Sequence, residues 1–221
     1  MGPTESDDRR RGQRAGEIGG LMAGEIDEVI RGRRFTTWPS EAGRRGAHFE
    51  RCTFNGVDAA ETDIDHAVFE ACRFTNVRFN GSRQLETAYM NCRLDGVNFF
   101  GAELVQMKMT GSEFLEVRFL AARITGGNWS YAALRMADLT RLTFDEAALR
   151  ETDFYEADLR GASFRRADLT GAILTRARLQ DADFRGAELA GIDFRDVSLA
   201  GARMEPIQAL QIVQALGAVI E

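Results

Sequence analysis

From Phe49 to Met204 the chain keeps a period of five residues without losing step, and this period constrains the fold more than any other feature. Of the 32 residues in this span whose numbers end in 4 or 9, 30 are Phe, Leu, Ile, Met, Trp or Tyr; Ala59 and Gln84 are the exceptions. Two positions earlier the residues are small, Ala, Cys, Val, Thr, Ser or Gly, apart from Met107, Leu142 and Ile192. On an α-helix five residues advance about 500°, which scatters every fifth side chain round the whole surface. On a straight strand an odd period sends successive large residues to opposite faces. The pattern fits a chain that buries a small residue, then a large one two positions later, and turns a corner before repeating. That is a solenoid of short strands. Eleven glycines fall two places after the large residue, where a corner calls for φ > 0, and Asn76 and Asn91 share that phase.

The unbroken phase predicts one domain, because a loop of any length other than a multiple of five would reset it. The weakest point is Asn80 to Glu86, where Gln84 takes an inward position beside Leu85; a local bulge is expected there. Cys52, Cys72 and Cys92 lie 20 residues apart, which stacks them in one column if each coil holds four five-residue segments. They read as buried thiols filling space. Metal binding is the sharper alternative, but no His or carboxylate shares their inward phase. The column Phe49, Phe69, Tyr89, Met109, Trp129, Leu149, Leu169, Leu189 puts its aromatics toward the N-terminal half and reads as core packing.

Outside the repeat, residues 1–34 read as a disordered or weakly helical extension, with helical apolar spacing from Glu17 to Ile30 diluted by glycine. Residues 35–46 lack the phase and read as an irregular cap over the open end of the solenoid, which otherwise exposes an edge. Residues 47–206 form the repeat, and 207–221 a helix and tail. Pro206 suits a first helical position and Gly217 a stop. Ile207, Leu210, Val213 and Leu216 make an apolar stripe widened by Ile212. A cap over the last coil is the plain reading; the stripe is more apolar than one rod end needs, and the preferred reading is a homodimer through these five residues.

The residues that chemistry needs are missing. His48 and His66 take outward phases on different faces, and no Cys/His metal spacing, phosphate-binding loop or nucleophile elbow occurs. Nothing focuses the outward carboxylates into a pocket. The sequence therefore predicts no enzyme activity, no catalytic residue, no cofactor and no metal. No apolar run approaches membrane-spanning length, and charged residues from Asp7 to Arg11 stand where a signal peptide would be apolar, so a cytoplasmic location is expected.

Residues 47–206 hold 25 acidic against 19 basic residues, so the rod carries the negative charge. Assigned by the 20-residue rule, one face carries Asp95, Glu113, Glu116, Asp153, Glu156, Asp193 and Asp196 against several arginines, and another carries Asp145 and Glu146. Two readings stand: a charged rod that competes for a DNA-binding groove, or a solvated surface laced with ion pairs.

The A(D/N)Lxx repeat, clearest at Ala137–Leu139, Ala157–Leu159 and Ala167–Leu169, resembles the pentapeptide-repeat family. The resemblance implies an all-β solenoid, a right-handed quadrilateral β-helix with four pentapeptides per coil; about eight coils and a C-terminal α-helix follow, roughly 38 Å of rod at about 4.8 Å per coil. Phe49 to Phe54, Glu113 to Phe119 with Gly127 to Ser130, and Gln211 to Val219 are similar to the members that act on DNA gyrase, the Qnr, MfpA and AlbG type, with AlbG-type resistance proteins the nearest in pattern. The chain lacks obvious projecting loops, a departure from Qnr. This resemblance implies a DNA mimic that binds gyrase, and topoisomerase IV as a second target, through the acidic residues named above, and protects it from a topoisomerase poison. It implies no direct contact with nucleic acid and no membrane. The alternative is an interaction scaffold with an unknown protein partner.

Overall fold

The computed structural model describes residues 29–43 and 45–219. In chain order its short strands are β1 (Val29–Arg31), β2 (Arg34–Phe35), β3 (His48–Glu50), β4 (Thr53–Asn55), β5 (Asp63–Asp65), β6 (Val68–Glu70) and β7 (Arg73–Thr75). They continue as β8 (Arg83–Leu85), β9 (Ala88–Met90), β10 (Arg93–Asp95), β11 (Glu103–Val105), β12 (Glu113–Leu115) and β13 (Arg123–Thr125). A 3-10 turn, Ser40–Gly43, lies between β2 and β3, and one helix, α1 (Pro206–Ala215), ends the rod.

Among the described residues all strand pairs are parallel; from β3 onward they join residue i to i+20, as in Phe49↔Phe69, Phe54↔Phe74 and Ile64↔Gln84, whereas β1 with β3 and β2 with β4 join i to i+19, as in Ile30↔Phe49 and Phe35↔Phe54. Three ladders are the sheets β1-β3-β6-β9, β12-β10-β7-β4-β2 and β13-β11-β8-β5. Single-residue bridges from Asp58↔Arg78 onward make the fourth, so the cross-section is four-sided. After about five turns of named strands, bridges at the same offset carry the register as far as Asp183↔Arg203. Hydrogen bonds tie each coil to the next at both phases: Phe79 N–H donates to Asn98 C=O at 2.8 Å, and Arg78 N–H to Val57 C=O at 2.9 Å.

Inside, every residue of the large phase from Phe49 to Phe194 is buried. Rings of successive coils stack, Phe54 on Phe74 at 4.6 Å and Phe164 on Phe184 at 5.4 Å, so aromatics reach further along the rod than the first column suggested. Gln84 is fully buried without a bulge: β8 keeps register with β5 and β11. The Tyr89 hydroxyl donates to its Oε1 at 3.0 Å, and its Nε2 donates to Ser82 Oγ at 3.2 Å, so a polar pair is satisfied in the core without displacing the chain.

Ala59, the other exception, has a physical reason. The Trp38 ring lies 5.4 Å from Phe79, 5.9 Å from Phe54 and 6.1 Å from Phe69, in the space a large residue at position 59 would fill. The segment before the repeat thus plugs the rod end, but not as a separate cap. Val29–Arg31 and Arg34–Phe35, expected in the extension and cap, pair with β3 and β4 as the start of a coil, because their backbone completes the ladder edge. The part of the disordered or weakly helical extension that precedes Val29, and with it all but the last two residues of the helical spacing from Glu17 to Ile30, lies outside the described residues.

The corners correct the glycine argument. Among the described residues nineteen non-glycine residues have positive φ, and all occupy the phase of numbers ending in 1 or 6. The corner therefore demands the left-handed conformation whatever the residue, at about 1 kcal/mol for each side chain, a cost the ladders on either side offset. From Trp129 onward most corners close as type II turns, as where Ala132 N–H donates to Trp129 C=O at 3.0 Å with Tyr131 at φ 62°.

The cysteines do more than fill space. Cys72 Sγ accepts from Cys52 N–H at 3.3 Å and donates to Phe49 C=O at 3.3 Å, standing between the two groups that a closed turn would join directly. Ser112 Oγ does the same further along this column, accepting from Cys92 N–H at 2.9 Å and donating to Tyr89 C=O at 2.7 Å. Burial pushes the Cys52 thiol above its ordinary range, and the hydrogen bond with Cys72, reinforced by burial, pushes Cys92 up. Cys52 and Cys92 are in consequence poor nucleophiles, whereas the hydrogen bond with Cys92 lowers the Cys72 thiol against the opposing effect of burial.

Candidate functional site

Outward residues flank each buried large residue, and corner residues project along the rod's four edges. The structure brings the acidic set onto the places expected from the 20-residue rule. Glu113 and Asp153 lie on one ladder, through Arg93↔Glu113, Glu113↔Ala133 and Ala133↔Asp153, with Glu116 and Glu156 at its corners. Asp193 and Asp196 lie in the last coil, beyond the final bridge of that ladder, Asp153↔Ile173. Asp145 and Glu146 belong to the ladder containing Thr143↔Ser163.

Most of these carboxylates are already engaged. Arg93 serves both Glu113 and, at 3.7 Å, Asp95; Arg135 reaches Asp153 at 3.3 Å and Arg176 reaches Glu156 at 2.9 Å. Arg166 pairs with Glu146, and Arg195 with Asp193. Asp145 accepts from Ser163 Oγ at 2.5 Å and from Arg165 N–H at 3.0 Å. The Arg176 hydrogen bond holds Glu156 below the usual carboxylate range, and Arg195 holds Asp193 at about 2. Pairs this exposed contribute little stability individually, between about 0 and 1 kcal/mol. They do lower the field that the face projects.

Of the expected set only Glu116 and Asp196 make no hydrogen bond or ion pair among the described residues, although the Arg195 cation lies close enough to Asp196 to feel its charge. The rod has other uncompensated carboxylates: Glu61, Asp63, Glu151, Asp181 and Glu188 have no cation within ion-pair distance among the described residues. Sequence reading passed over them because it grouped charges by face. The signal was the corner phase: Glu61, Glu116, Glu151 and Asp181 all have positive φ, which sends the side chain off an edge of the rod.

Helix α1 separates the two roles assigned to its stripe. Gln208 and Ile212 are buried against the last coil, 3% and 5% exposed. Gln208 Nε2 donates to Ala187 C=O at 3.3 Å, the carbonyl that one further rung of the ladder would have used, since Glu188 N–H donates to Ala167 C=O and Asp168 N–H to Ala147 C=O. Its Oε1 accepts from Glu205 N–H at 2.8 Å, which ties down the helix start. At the other end Gly217 N–H donates to Gln214 C=O and Ala218 N–H to Val213 C=O, with Gly217 at φ 93°, the stop expected from sequence. Ile212 is therefore removed from the dimer set: it covers the rod end. Ile207, Leu210, Val213 and Leu216 stay exposed, between 42% and 55%.

Among the described residues, no group of three or more His, Cys, Asp and Glu side chains converges as a metal site would require. His48 and His66 each face one carboxylate, Glu70 at 3.5 Å and Glu86 at 3.3 Å. No described helix is long and apolar enough to cross a membrane.

Comparison with known proteins agrees with this geometry. A model of pentapeptide repeat regions matches residues 137–211, and one of pentapeptide repeats in eight copies matches 45–81. The fold is similar to trypsin-treated QnrB1, described as a plasmid-mediated fluoroquinolone resistance protein, at 19% identity and TM-score 0.56 over 87% of this chain and 98% of that one. It is also similar to HetL, a pentapeptide repeat protein involved in heterocyst differentiation regulation from the cyanobacterium Nostoc sp. strain PCC 7120, at 24% identity and TM-score 0.54 over 80% and 86% of the two chains. A search of curated proteins finds no match.

Proposed function

The chain belongs to the pentapeptide-repeat family, and from that premise we propose that it is a dimeric, non-enzymatic rod that binds DNA gyrase, with topoisomerase IV as a second target, and protects it from a topoisomerase poison. The observation that carries this reading is the rod itself: a solid shaft whose edges carry carboxylates, including Glu61, Glu116, Glu151 and Asp181, that lie outside ion-pair distance of any cation among the described residues. A rod with negative charge distributed along its length offers a DNA-binding groove the field it selects. The match along nearly the whole length of a fluoroquinolone resistance protein supports the same assignment. The four exposed apolar residues of α1 supply the two-fold interface, in which one helix face lies on its counterpart. The reading places the protein in the cytoplasm, where its target is.

A second reading, a scaffold for a different protein, is favoured by the ion pairing on the acidic face, which leaves Glu116 and Asp196 as its only uncompensated members among the described residues. Displacement of a labelled duplex from purified gyrase separates the two. The DNA mimic displaces it, less effectively as salt rises, and loses potency when Glu61, Glu116, Glu151 and Asp181 are converted together to glutamine and asparagine. The scaffold leaves the duplex bound at every concentration.

A further inference from the structure

The ladder is interrupted in the middle of the rod. The bridges that the register calls for at Arg118↔Asp138 and Arg123↔Thr143 are missing, although their neighbours Asn98↔Arg118 and Thr143↔Ser163 are formed. The N–H groups of Glu116, Phe119, Ala121 and Gly126 have no acceptor among the described residues, whereas Gln106 N–H one coil below donates to Thr125 C=O and Met136 N–H one coil above donates to Tyr155 C=O. β13 is in consequence an edge strand. On the other two faces the same coils stay joined, through Lys108↔Asn128 and Glu113↔Ala133.

The core explains the gap. Trp129, fully buried, packs between Phe114 and Phe119 of the lower coil and Phe144 of its own, at 5.9, 6.4 and 5.7 Å, and fills more depth than the Met and Leu above and below it in its column. Its indole N–H finds no acceptor among the described residues. The wedge holds two faces apart and keeps the other two closed.

The surface over the gap differs from the rest of the shaft. Leu120 is 72% exposed, Phe100 directly below it 48%, and Met136, at the corner leading into the same face one coil above, 67%. Arg118, Arg123 and Arg141 border them, and none has a carboxylate within ion-pair distance among the described residues. The adjacent acids are engaged elsewhere: Glu103 with Arg83 at 3.8 Å, and Asp138 with the Thr140 N–H at 3.1 Å.

We propose that this gap is a docking surface for an extended, acidic and apolar peptide segment of a partner protein. A leucine-sized side chain of the segment packs on Phe100, Leu120 and Met136. Its carboxylates meet Arg118, Arg123 and Arg141, and one of them accepts from the free Ala121 N–H at the exposed corner. Glu116, at the opposite corner of the face, excludes a carboxylate there and so fixes the direction of the segment. An apolar centre with a charged rim is the anatomy of a protein interface. A nucleic acid would call for a longer row of cations than three, on a rod whose net charge is otherwise negative. Apart from Glu116 at its rim, the surface shares no residue with the acidic edges and none with α1, so Leu120 and Arg141 test it independently of the gyrase reading.

The test is fluorescence polarisation with the full chain and three labelled probes: a capped hexapeptide alternating Glu and Leu, one alternating Lys and Leu, and an oligothymidylate of the same charge as the first. The Glu–Leu peptide is expected to bind saturably and at least about tenfold more tightly than either control, with affinity reduced about fivefold or more by Leu120→Ser and by Arg141→Gln and unchanged by Val213→Ser on α1. Absence of saturable binding, equal affinity for the Lys–Leu peptide, tighter binding of the oligonucleotide, or indifference to both gap substitutions would overturn the proposal.

Discussion

Replacing Cys72 by alanine and by serine distinguishes a thiol that fills space from one that holds a corner open. Cys72 is buried, and its Sγ lies 3.3 Å from both the Cys52 N–H nitrogen and the Phe49 carbonyl oxygen. Alanine removes roughly one methylene's worth of buried apolar surface, about 0.8 kcal/mol. It also leaves one donor and one acceptor unpaired in a core that excludes water, at about 1 kcal/mol each, the low end of the range because thiol bonds are weak. The expected loss is therefore about 2–3 kcal/mol. Serine keeps both bonds, as Ser112 shows in the same column, and the expected loss is about 1 kcal/mol. Space filling alone predicts the reverse order, since alanine is the closer match to a buried thiol in polarity. Urea unfolding at fixed protein concentration, followed by tryptophan fluorescence, reads the difference as a shift in midpoint at constant slope. An alanine variant as stable as the serine variant would refute the reasoning, by showing that Cys52 N–H closes directly on Phe49 C=O as Ala132 N–H does on Trp129 C=O.

Three further outcomes are expected. Gly127→Ala should destabilise by about 3 kcal/mol or more, because Gly127 is at φ 92° and an added Cβ would lie 2.5 Å from the Met107 carbonyl oxygen, a backbone atom that cannot swing aside; thermal unfolding measures this. Leu210→Asp with Val213→Asp should give a monomer by light scattering with an unchanged far-ultraviolet spectrum, because both residues are exposed while Gln208 and Ile212 still cap the rod. Asp158, Asp183 and Asp193 are held below the ordinary carboxylate range by hydrogen bonds from Arg160, Arg185 and Arg195. Groups with a depressed folded pKa contribute stability above their unfolded value, near 4, and lose it as pH falls toward 2; the urea midpoint should be flat above about pH 5 and fall below about pH 4, less steeply in Asp193→Asn.

The five-residue period was enough to assign inward and outward positions through the whole shaft, because close packing of a solid rod leaves each phase a single role. It also located the corners, but glycine alone understated them: Arg51, Tyr131 and Glu146 carry positive φ in the same phase, held there by the ladders on both sides. Gln84 looked like a break because its partner, the Tyr89 hydroxyl, sits five residues on in the core and only the fold brings the two together. Trp38 could not be matched to the Ala59 gap, since the segment carrying it lies outside the repeat and has no phase to count from. The apolar stripe of α1 was legible as a stripe; that Ile212 turns inward depends on how the helix lies on the last coil. The acidic residues were legible in position but not in charge, because Arg135, Arg166 and Arg176 neutralise them across coils.

The most direct test of the proposed function is a titration of purified gyrase with the full-length protein in which supercoiling and poison-stabilised DNA cleavage are followed together. The account predicts that cleavage complexes disappear at concentrations where supercoiling persists, and that the Leu210→Asp, Val213→Asp monomer is weaker in this effect. Unchanged cleavage and unchanged supercoiling, with the folded dimer confirmed in the same sample, would contradict it.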